Sequence, residues 1–533
     1  MSKNSHNKDV VNKSTTDNTA HQLSELENDI WEAADELRAN SKLTAAEYKD
    51  PVLGLVLLRF AENKFDEVLS QLDIPINPRT GKVREITKDD FVASNVLFLN
   101  KHAKYEYLAN LPESQDVNEA VNNAMRLVES ENSDLDGILP KNYHELDSDL
   151  LRKLIRVFNK ESVKSIKGDA FGRIYEFFLM KFSMIGAGAQ EGGEFFTPKS
   201  LVELIVNFIE PTHGIIHDPA CGSGGMFVQT GYFIQNLLKK SVNEAITVYG
   251  TEIKTNNAKL AKMNLAIHGI EGKILEDNSY YCDSHNLIGK CDFVMANPPF
   301  NVDKIDKKRD FVKEDPRLPF GTPNSDNGNY MWIQYFHSYL NDNGRAGFVM
   351  ASSATDAGSS EKLIRQQLIE TGDVEAIVSI SNNFFYTRSL PCHVWFFNKN
   401  KKNKDTIMMI DARNTFRKVN SRINDFTSEQ LEGLTTIVKS YRGEKVDFKA
   451  NEWLTTNFES GSYEDVEGLC KIATMDEIIE NDYSLTPGRY VGFSLQIDED
   501  FDYKGRMSEI HDELAKLNNE SDELRKSIQD LKL

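Results

Sequence analysis

Long apolar runs are missing from this chain of 533 residues. No stretch approaches the roughly 20 apolar residues that a bilayer-crossing helix needs, and the first residues are polar rather than signal-like. A cytoplasmic protein, with no membrane partner, is therefore expected. Cysteine is scarce. Cys221, Cys282, Cys291, Cys392 and Cys470 are odd in number and lack paired metal-ligand spacing, so they read as reduced thiols and exclude a disulfide framework. The sequence Gly-x4-Gly-Lys-Ser/Thr occurs nowhere, which excludes a P-loop motor. Positive charge is in deficit, with a net of −20. That is the wrong sign for a chain that grips nucleic acid over its whole surface, because phosphate neutralisation supplies most non-specific affinity. Either a basic groove hides inside an acidic average, or a partner chain makes most of the contact.

What is present is concentrated in a few motifs. Asn297-Pro298-Pro299-Phe300 follows the apolar run Asp292–Ala296. Two prolines fix φ and withhold N–H donors, so the Asn297 side-chain oxygen and the Pro298 carbonyl together can accept both hydrogens of an exocyclic amino group. Phe300 offers a flat face for a planar ring. Adenine N6 suits such a site; a Pro-Pro turn closing a strand is the plainer alternative. Upstream, Asp218-Pro219-Ala220-Cys221-Gly222-Ser223-Gly224-Gly225 follows the apolar strand 214–217 and precedes a helix start. Strand, glycine turn and helix let a nucleotide-like ligand approach the backbone. Asp218 can accept from a cationic ammonium. Glu252, ending a second strand, is placed to accept both hydroxyls of a ribose. The combination suits S-adenosylmethionine. A third element, Gly192-Gly193-Glu194-Phe195-Phe196-Thr197-Pro198, combines flexible glycines, aromatic cover and a helix start with Pro in its first turn. Alone it passes as a surface loop.

In this order the motifs resemble those of adenine-N6 DNA methyltransferases, and most closely the modification (M) subunits of type I restriction-modification systems. The likeness extends to the helical stretch 26–38, to Phe171-Gly172-Arg173-Ile174-Tyr175-Glu176-Phe177 and to Tyr483–Tyr490. The resemblance implies S-adenosylmethionine as cofactor, held by residues 193–198, Asp218, Gly222, Ser223, Gly224, Gly225 and Glu252. It also implies double-stranded DNA as substrate, and a specificity (S) subunit, a restriction (R) subunit and two copies of this chain in one complex. Recognition of the DNA sequence would then reside in the S subunit, in keeping with the acidity.

The length calls for two or three domains. Residues 1–19 are polar without apolar period and are expected to form a disordered tail. Leu26, Ile30, Ala33 and Leu37 recur at helical spacing, Pro51 opens a strongly apolar helix, and a helical domain is expected over 20–160. From 165 to 410 strand-like and helix-like segments alternate. Seven strands are expected, with the last two joined by a loop, as a Rossmann-like methyltransferase sheet with Asp218, Glu252 and Asn297 along one edge. The charged segment 301–329, with Lys304, Lys307, Lys308 and Arg309, reads equally as a DNA-contacting loop or a solvated insertion. Phe384, Phe385 and Tyr386 are candidates for the second wall of the base pocket. Residues 411–500 are expected to be irregular. Over 505–533, Ile510, Leu514, Leu517, Leu524, Ile528 and Leu531 form a heptad stripe, interrupted by Ser521, that needs a docking partner.

The expected chemistry is methyl transfer to N6 of an adenine flipped out of the duplex, by positioning and electrostatics rather than a covalent intermediate. Asp277 is a candidate for holding the adenine or the cofactor's adenine. Cys392 is rejected as a nucleophile because it lies inside a strand pattern. Three alternatives remain at this level. A protein-glutamine or RNA methyltransferase can use the same Asn-Pro-Pro-Phe pocket, Glu252-Ile253-Lys254 mimics a nuclease acid-x-Lys, and a non-catalytic assembly subunit needs no chemistry.

Overall fold

Apolar β-branched and aromatic runs become the strands of one sheet. The computed structural model describes residues 25–72, 86–92, 96–166, 170–185, 197–324, 327–385, 389–421 and 423–492, and positions 505, 507, 511, 514–518 and 521. All seven expected strands form: β1 (Gly214–Asp218), β2 (Ile246–Glu252), β3 (Gly272–Glu276), β4 (Cys291–Ala296), β5 (Leu340–Ala351), β6 (Val374–Ile380) and β7 (Cys392–Asn398). Four more follow: β8 (Thr406–Ala412), β9 (Arg417–Asn420), β10 (Ile423–Asp425) and β11 (Cys470–Thr474). Among the described residues the main sheet has nine strands, not seven, in the order β11-β8-β6-β7-β5-β4-β1-β2-β3. β7 runs antiparallel between β5 and β6, β8 is parallel to β6, and β11 closes the far side antiparallel to β8. Every residue of β8 is buried, so Ile407, Met408, Met409 and Ile410 continue the core beyond the expected end of the sheet.

The two faces are filled separately, as side-chain alternation along a strand requires. Phe293 and Met295 of β4 enter one core with helices α5 (Lys199–Ile209) and α6 (Gly225–Leu238). Val294 and Ala296 enter the other with α8 (Asn329–Tyr339) and α9 (Ser359–Glu370). The segment 411–500, expected to be irregular, is corrected here. It holds α10 (Ser428–Tyr441), started by a capping box between Thr427 and Gln430, which buries Leu431, Leu434, Ile437 and Val438 in the first core.

A third core is helical. α1 (Ala45–Gln71) begins at a Thr44–Glu47 capping box, ahead of Pro51, which sits inside the helix rather than opening it. It packs with α2 (Val117–Glu131), α3 (Ser148–Phe158) and α4 (Ala170–Ile185). Trp31 meets Phe178 and Phe182 edge-on at 5.2 and 5.1 Å. Two corrections to the expected division follow. α4, placed by pattern in the sheet domain, belongs to the helical core, and Leu260, Met263 and Ile267 of α7 (Thr255–Ile267) join it there. The helical and sheet regions therefore share α7. Residues 492–533 form a separate unit, in which Leu514 and Leu517 are exposed on a helical stretch. The other heptad positions, Ile510, Leu524, Ile528 and Leu531, lie outside the described residues. Among the described residues no helix is long and apolar enough to cross a membrane.

Candidate active site

β1 lies between β2 and β4, with Asp218 in register with Gly250 and His217 with Val294, all three strands parallel. Their carboxyl ends therefore bring Asp218, Glu252 and Asn297 to one edge. Two inter-strand spacings, about 10 Å, span the three. The glycine turn after β1 fills the space between. Gly222 and Gly224 take φ of 53° and 76°, a left-handed backbone that disfavours side chains. Among the described residues, a Cβ built on Gly222 or Gly225 would meet nothing within 4 Å, so the turn does not pack against the described core.

Backbone amides lock this turn to the acid of β2. Glu252 accepts from the Gly222 N–H at 3.0 Å through one oxygen and from the Lys254 N–H at 2.9 Å through the other. The Cys221 N–H donates to the Thr251 carbonyl at 3.0 Å. Asp218 is buried and accepts from the Ala220 N–H at 3.0 Å. Burial holds its carboxyl well above the usual range, and the neighbouring Glu252 charge adds to the shift. Two acids crowded at a strand edge, one of them desolvated, make a place that a cation would stabilise.

Asn297 is half-buried just beyond β4, and its Nδ2 donates to Thr197 Oγ1 at 2.9 Å. Thr197 directly precedes Pro198, the N-cap of α5, so two motifs a hundred residues apart meet. Gly193, Glu194, Phe195 and Phe196 lie outside the described residues. Pro298 is buried, Pro299 half-buried, and Phe300 stands edge-on to Phe385 with centroids 6.2 Å apart at 84°. Phe384 instead packs on Phe426 in the core, and Tyr386 lies outside the described residues. Among the described residues of the trio, then, Phe385 is set beside Phe300, and Phe300, Phe384 and Phe385 are all buried in the first core. Ser223 is half-exposed, and its carbonyl accepts from Asn264 Nδ2 at 2.9 Å. Asp277 reaches the same edge, its N–H donating to the Glu252 carbonyl at 3.0 Å. Its carboxylate is engaged by Ser284 Oγ and the Asn278 N–H, and hydrogen bonding from Cys282 and Ser284 holds it below the usual range.

Three features escaped the motif reading. Ile253, directly after Glu252, is 55% exposed, a large apolar side chain bare beside the acid; its signal was simply its position. Arg317 turns much of the charged 301–329 segment from a solvated insertion into an anchored one. It is fully buried, paired with Asp315 at 2.7 Å, donates to the Cys282 carbonyl and Tyr339 hydroxyl, and lies 4.0 Å over the Tyr335 ring. Lys304, Lys308 and Arg309 remain exposed, while Lys307 donates to the Asn327 carbonyl. Finally, Glu176 of α4 accepts from Gln229 and Tyr232 of α6 and lies 3.2 Å from His268, whose other ring nitrogen meets the Asn264 carbonyl. Asn264 in turn holds the Ser223 carbonyl, so the helical core reaches the glycine turn through named hydrogen bonds.

The rejected chemistries fare poorly. Cys392 is fully buried within β7, and burial pushes its thiol far up, opposite to an activated nucleophile. Cys221 is buried against the same acids and is pushed up likewise. The acid-x-Lys of a nuclease needs further ligands around a metal, and among the described residues no group of three or more His, Cys, Asp or Glu is placed to hold one.

An open parallel sheet extended by an antiparallel β7, with a glycine turn after β1 and acids at its carboxyl edge, defines an α/β methyltransferase. The family model for N-6 DNA methylases matches residues 166–499, and that for the HsdM N-terminal domain matches residues 26–158. The type I restriction enzyme MjaIX methylase subunit of Methanocaldococcus jannaschii is 35% identical over 95% of this chain and 91% of its own length. The HindI methylase subunit of Haemophilus influenzae is 34% identical over 73% of this chain and 86% of its own. The fold is shared with the methyltransferase subunit of a type I restriction-modification system from Streptococcus thermophilus, with a TM-score of 0.72 and 20% identity over 88% of this chain and all of that one. The chain belongs to the N-6 DNA methylase family, the adenine-specific DNA methyltransferases, and within it to the methylase subunits of type I restriction enzymes.

Proposed function

We propose that this chain transfers a methyl group from S-adenosylmethionine to N6 of an adenine flipped out of double-stranded DNA, as the modification subunit of a complex with specificity and restriction subunits. The observation that carries this reading is the shared edge: the open glycine turn, the two acids and the Asn-Pro-Pro-Phe turn all stand at the carboxyl ends of neighbouring strands.

The donor fits the residues that face it. Gly222 and Gly225 leave room for a ligand at the turn, Asp218 supplies the negative charge a cationic amino acid needs, and Glu252 with Ile253 offers a polar and an apolar contact beside a ribose and its base. When bound, S-adenosylmethionine supplies an electrophilic methyl on sulfur. Asn297 and the Pro298 carbonyl accept from the adenine amino group, which draws the N6 lone pair out of conjugation with the ring. Thr197 holds the Asn297 amide by its nitrogen end, orienting the acceptor oxygen. Phe300, braced by Phe385, supplies the stacking face. By the family resemblance, Gly193, Glu194, Phe195 and Phe196 would also contribute to holding the donor.

The division of labour also follows charge. A chain with a net of −20 is suited to a complex in which a specificity subunit makes the sequence-reading contacts. The exposed Leu514 and Leu517 belong to the stripe that would dock on it, and two copies of this chain would flank one specificity subunit.

The test is label transfer from tritiated S-adenosylmethionine to duplex DNA by the chain with its specificity subunit. Asn297→Ala is expected to abolish transfer and leave donor binding within about threefold, as for a group engaged mainly with the reacting base. Label appearing on protein or RNA but never on DNA sinks the reading.

A further inference from the structure

β9 and β10 stand apart from the nine-stranded sheet as a two-stranded ribbon. All four residues of β9, Arg417, Lys418, Val419 and Asn420, are exposed. A ribbon of this size makes no core of its own, so its surface is available for something else. Its composition is unlike the chain's. From Asp411 to Asp425 there are four cations, Arg413, Arg417, Lys418 and Arg422, against two acids, in a protein whose acids exceed its cations by twenty; Asp411 pairs with Arg413 at 2.8 Å.

Its position is also specific. β8 runs parallel to β6, so the ribbon leaves the sheet at the same carboxyl edge that carries Asp218 and Asn297. Asn424 then fastens it to the loop after β6, donating its N–H to the Asn383 carbonyl at 2.8 Å and its Nδ2 to the Asn382 carbonyl at 3.0 Å. Asn383 takes φ of 67° to make that turn. Two residues on, the same loop presents Phe385 to Phe300. The ribbon is thus held by the loop that braces the proposed stacking face. Register shifts between Ile423 and Asn424, a bulge that strengthens local twist.

We propose that the β9–β10 ribbon is a DNA-contacting element that grips backbone phosphates beside the flipped adenine, through Arg417 and Lys418. The inference rests on the methyl-transfer reading above and goes beyond it by naming a surface on this chain that touches the substrate. A two-stranded ribbon fits a DNA groove, and exposed cations suit phosphate oxygens. Arg417 also lies 3.2 Å from Asp425 at the ribbon's base, which keeps its guanidinium on the ribbon in the absence of DNA. The contact is sequence-independent, which suits a subunit that does not choose the site. It also gives an acidic chain a local group of exposed cations at the edge that carries the proposed site.

The experiment uses the full chain in its methylating assembly, comparing it with Arg417→Ala/Lys418→Ala and Arg417→Glu/Lys418→Glu. Methyl transfer is measured against duplex concentration from low to high salt, with S-adenosylmethionine affinity measured in parallel. The expected result is a rise in the KM for DNA on the order of tenfold for the alanine pair, larger for the charge reversal. The dependence of log affinity on log salt should become shallower by about two, one unit for each phosphate no longer neutralised. kcat at saturating DNA and donor affinity should stay within about twofold, and Arg417→Lys should restore most of the loss. An unchanged KM and salt slope overturns the ribbon inference alone. Loss of the specificity subunit from the purified variant assembly overturns it too, by assigning the ribbon to a protein contact. No transfer to DNA by the unsubstituted assembly overturns the activity reading and this inference with it.

Discussion

Asn297 Nδ2 donates to Thr197 Oγ1 at 2.9 Å, joining a residue past the fourth strand to one that precedes the first. An asparagine amide has two chemically different ends, and a partner on the nitrogen fixes where the oxygen points. Thr197→Val should therefore lower kcat about tenfold, the scale of one hydrogen bond to an oriented group, while Thr197→Ser retains most activity. Steady-state methylation assays separate the two. Equal activity in both variants removes the orienting role.

Asp218 is held protonated far more readily than an ordinary aspartate because it is buried beside Glu252. A carboxyl whose folded pKa is raised contributes stability below its unfolded pKa and loses it as pH rises through the folded value. Asp218→Asn keeps an acceptor for the Ala220 N–H and removes the charge. The melting temperature of the ligand-free variant should therefore exceed that of the unsubstituted chain at pH 8. The stabilisation by S-adenosylmethionine, about 2.7 kcal/mol for a donor at a hundred times its Kd, should vanish. For the unsubstituted chain, donor affinity should rise with pH. Scanning fluorimetry across pH with and without donor checks both statements.

Gly225 gives a cleaner dissection of the turn. It is the first residue of α6, its φ is not left-handed, and a Cβ there meets nothing within 4 Å. Gly225→Ala should leave the fold intact or stabilise it by up to about 1 kcal/mol, yet narrow the opening and weaken donor binding severalfold. Gly222→Ala should weaken binding and also destabilise, by about 1–2 kcal/mol, because its φ is 53°. Calorimetric titration together with denaturant unfolding distinguishes the pair.

His217 lies in β1 with its ring against the Tyr249 carbonyl, and burial lowers its pKa to about 3. A histidine depressed in the folded state contributes stability that is complete above its unfolded pKa, near 6.5, and drains away as pH falls toward 3. The chain should lose thermal stability between pH 6.5 and 4, and His217→Gln should flatten that decline. Melting temperature followed over this range tests it, and parallel curves would assign the decline to other groups.

Local chemistry made much of the protein legible without coordinates. The strands β1, β2 and β4 to β7 announced themselves as short, mainly apolar runs, because a strand buried on both faces must be largely apolar, whereas β3, at the sheet edge, is exposed at four of its five residues. The motifs Asp218–Gly225, Glu252 and Asn297–Phe300 were legible because each sits where a strand ends and backbone conformation is constrained by glycine or proline. β8 was just as apolar but fell at the expected border of the domain, and β11 is only half-buried and too short to stand out. The stretch Phe171–Phe177 was marked by family likeness with no reason attached. Packing supplies one: Gly172 lies where any Cβ would meet the His268 ring, and Glu176 ties α4 to α6.

Composition and spacing by themselves determined a largely parallel α/β sheet, a glycine turn after its first strand and an Asn-Pro-Pro-Phe turn at a strand end, since each is a property of a few consecutive residues. Tertiary structure alone decided that α4 serves the helical core, that Phe385 stands edge-on to Phe300 while Phe384 packs on Phe426, that Asn297 meets Thr197, and that the β9–β10 ribbon follows β8 from the edge that carries Asp218 and Asn297. Those are relations between residues far apart in the chain. Which distant side chains meet is set by packing two sheet faces and a helical core together, and no local pattern encodes it.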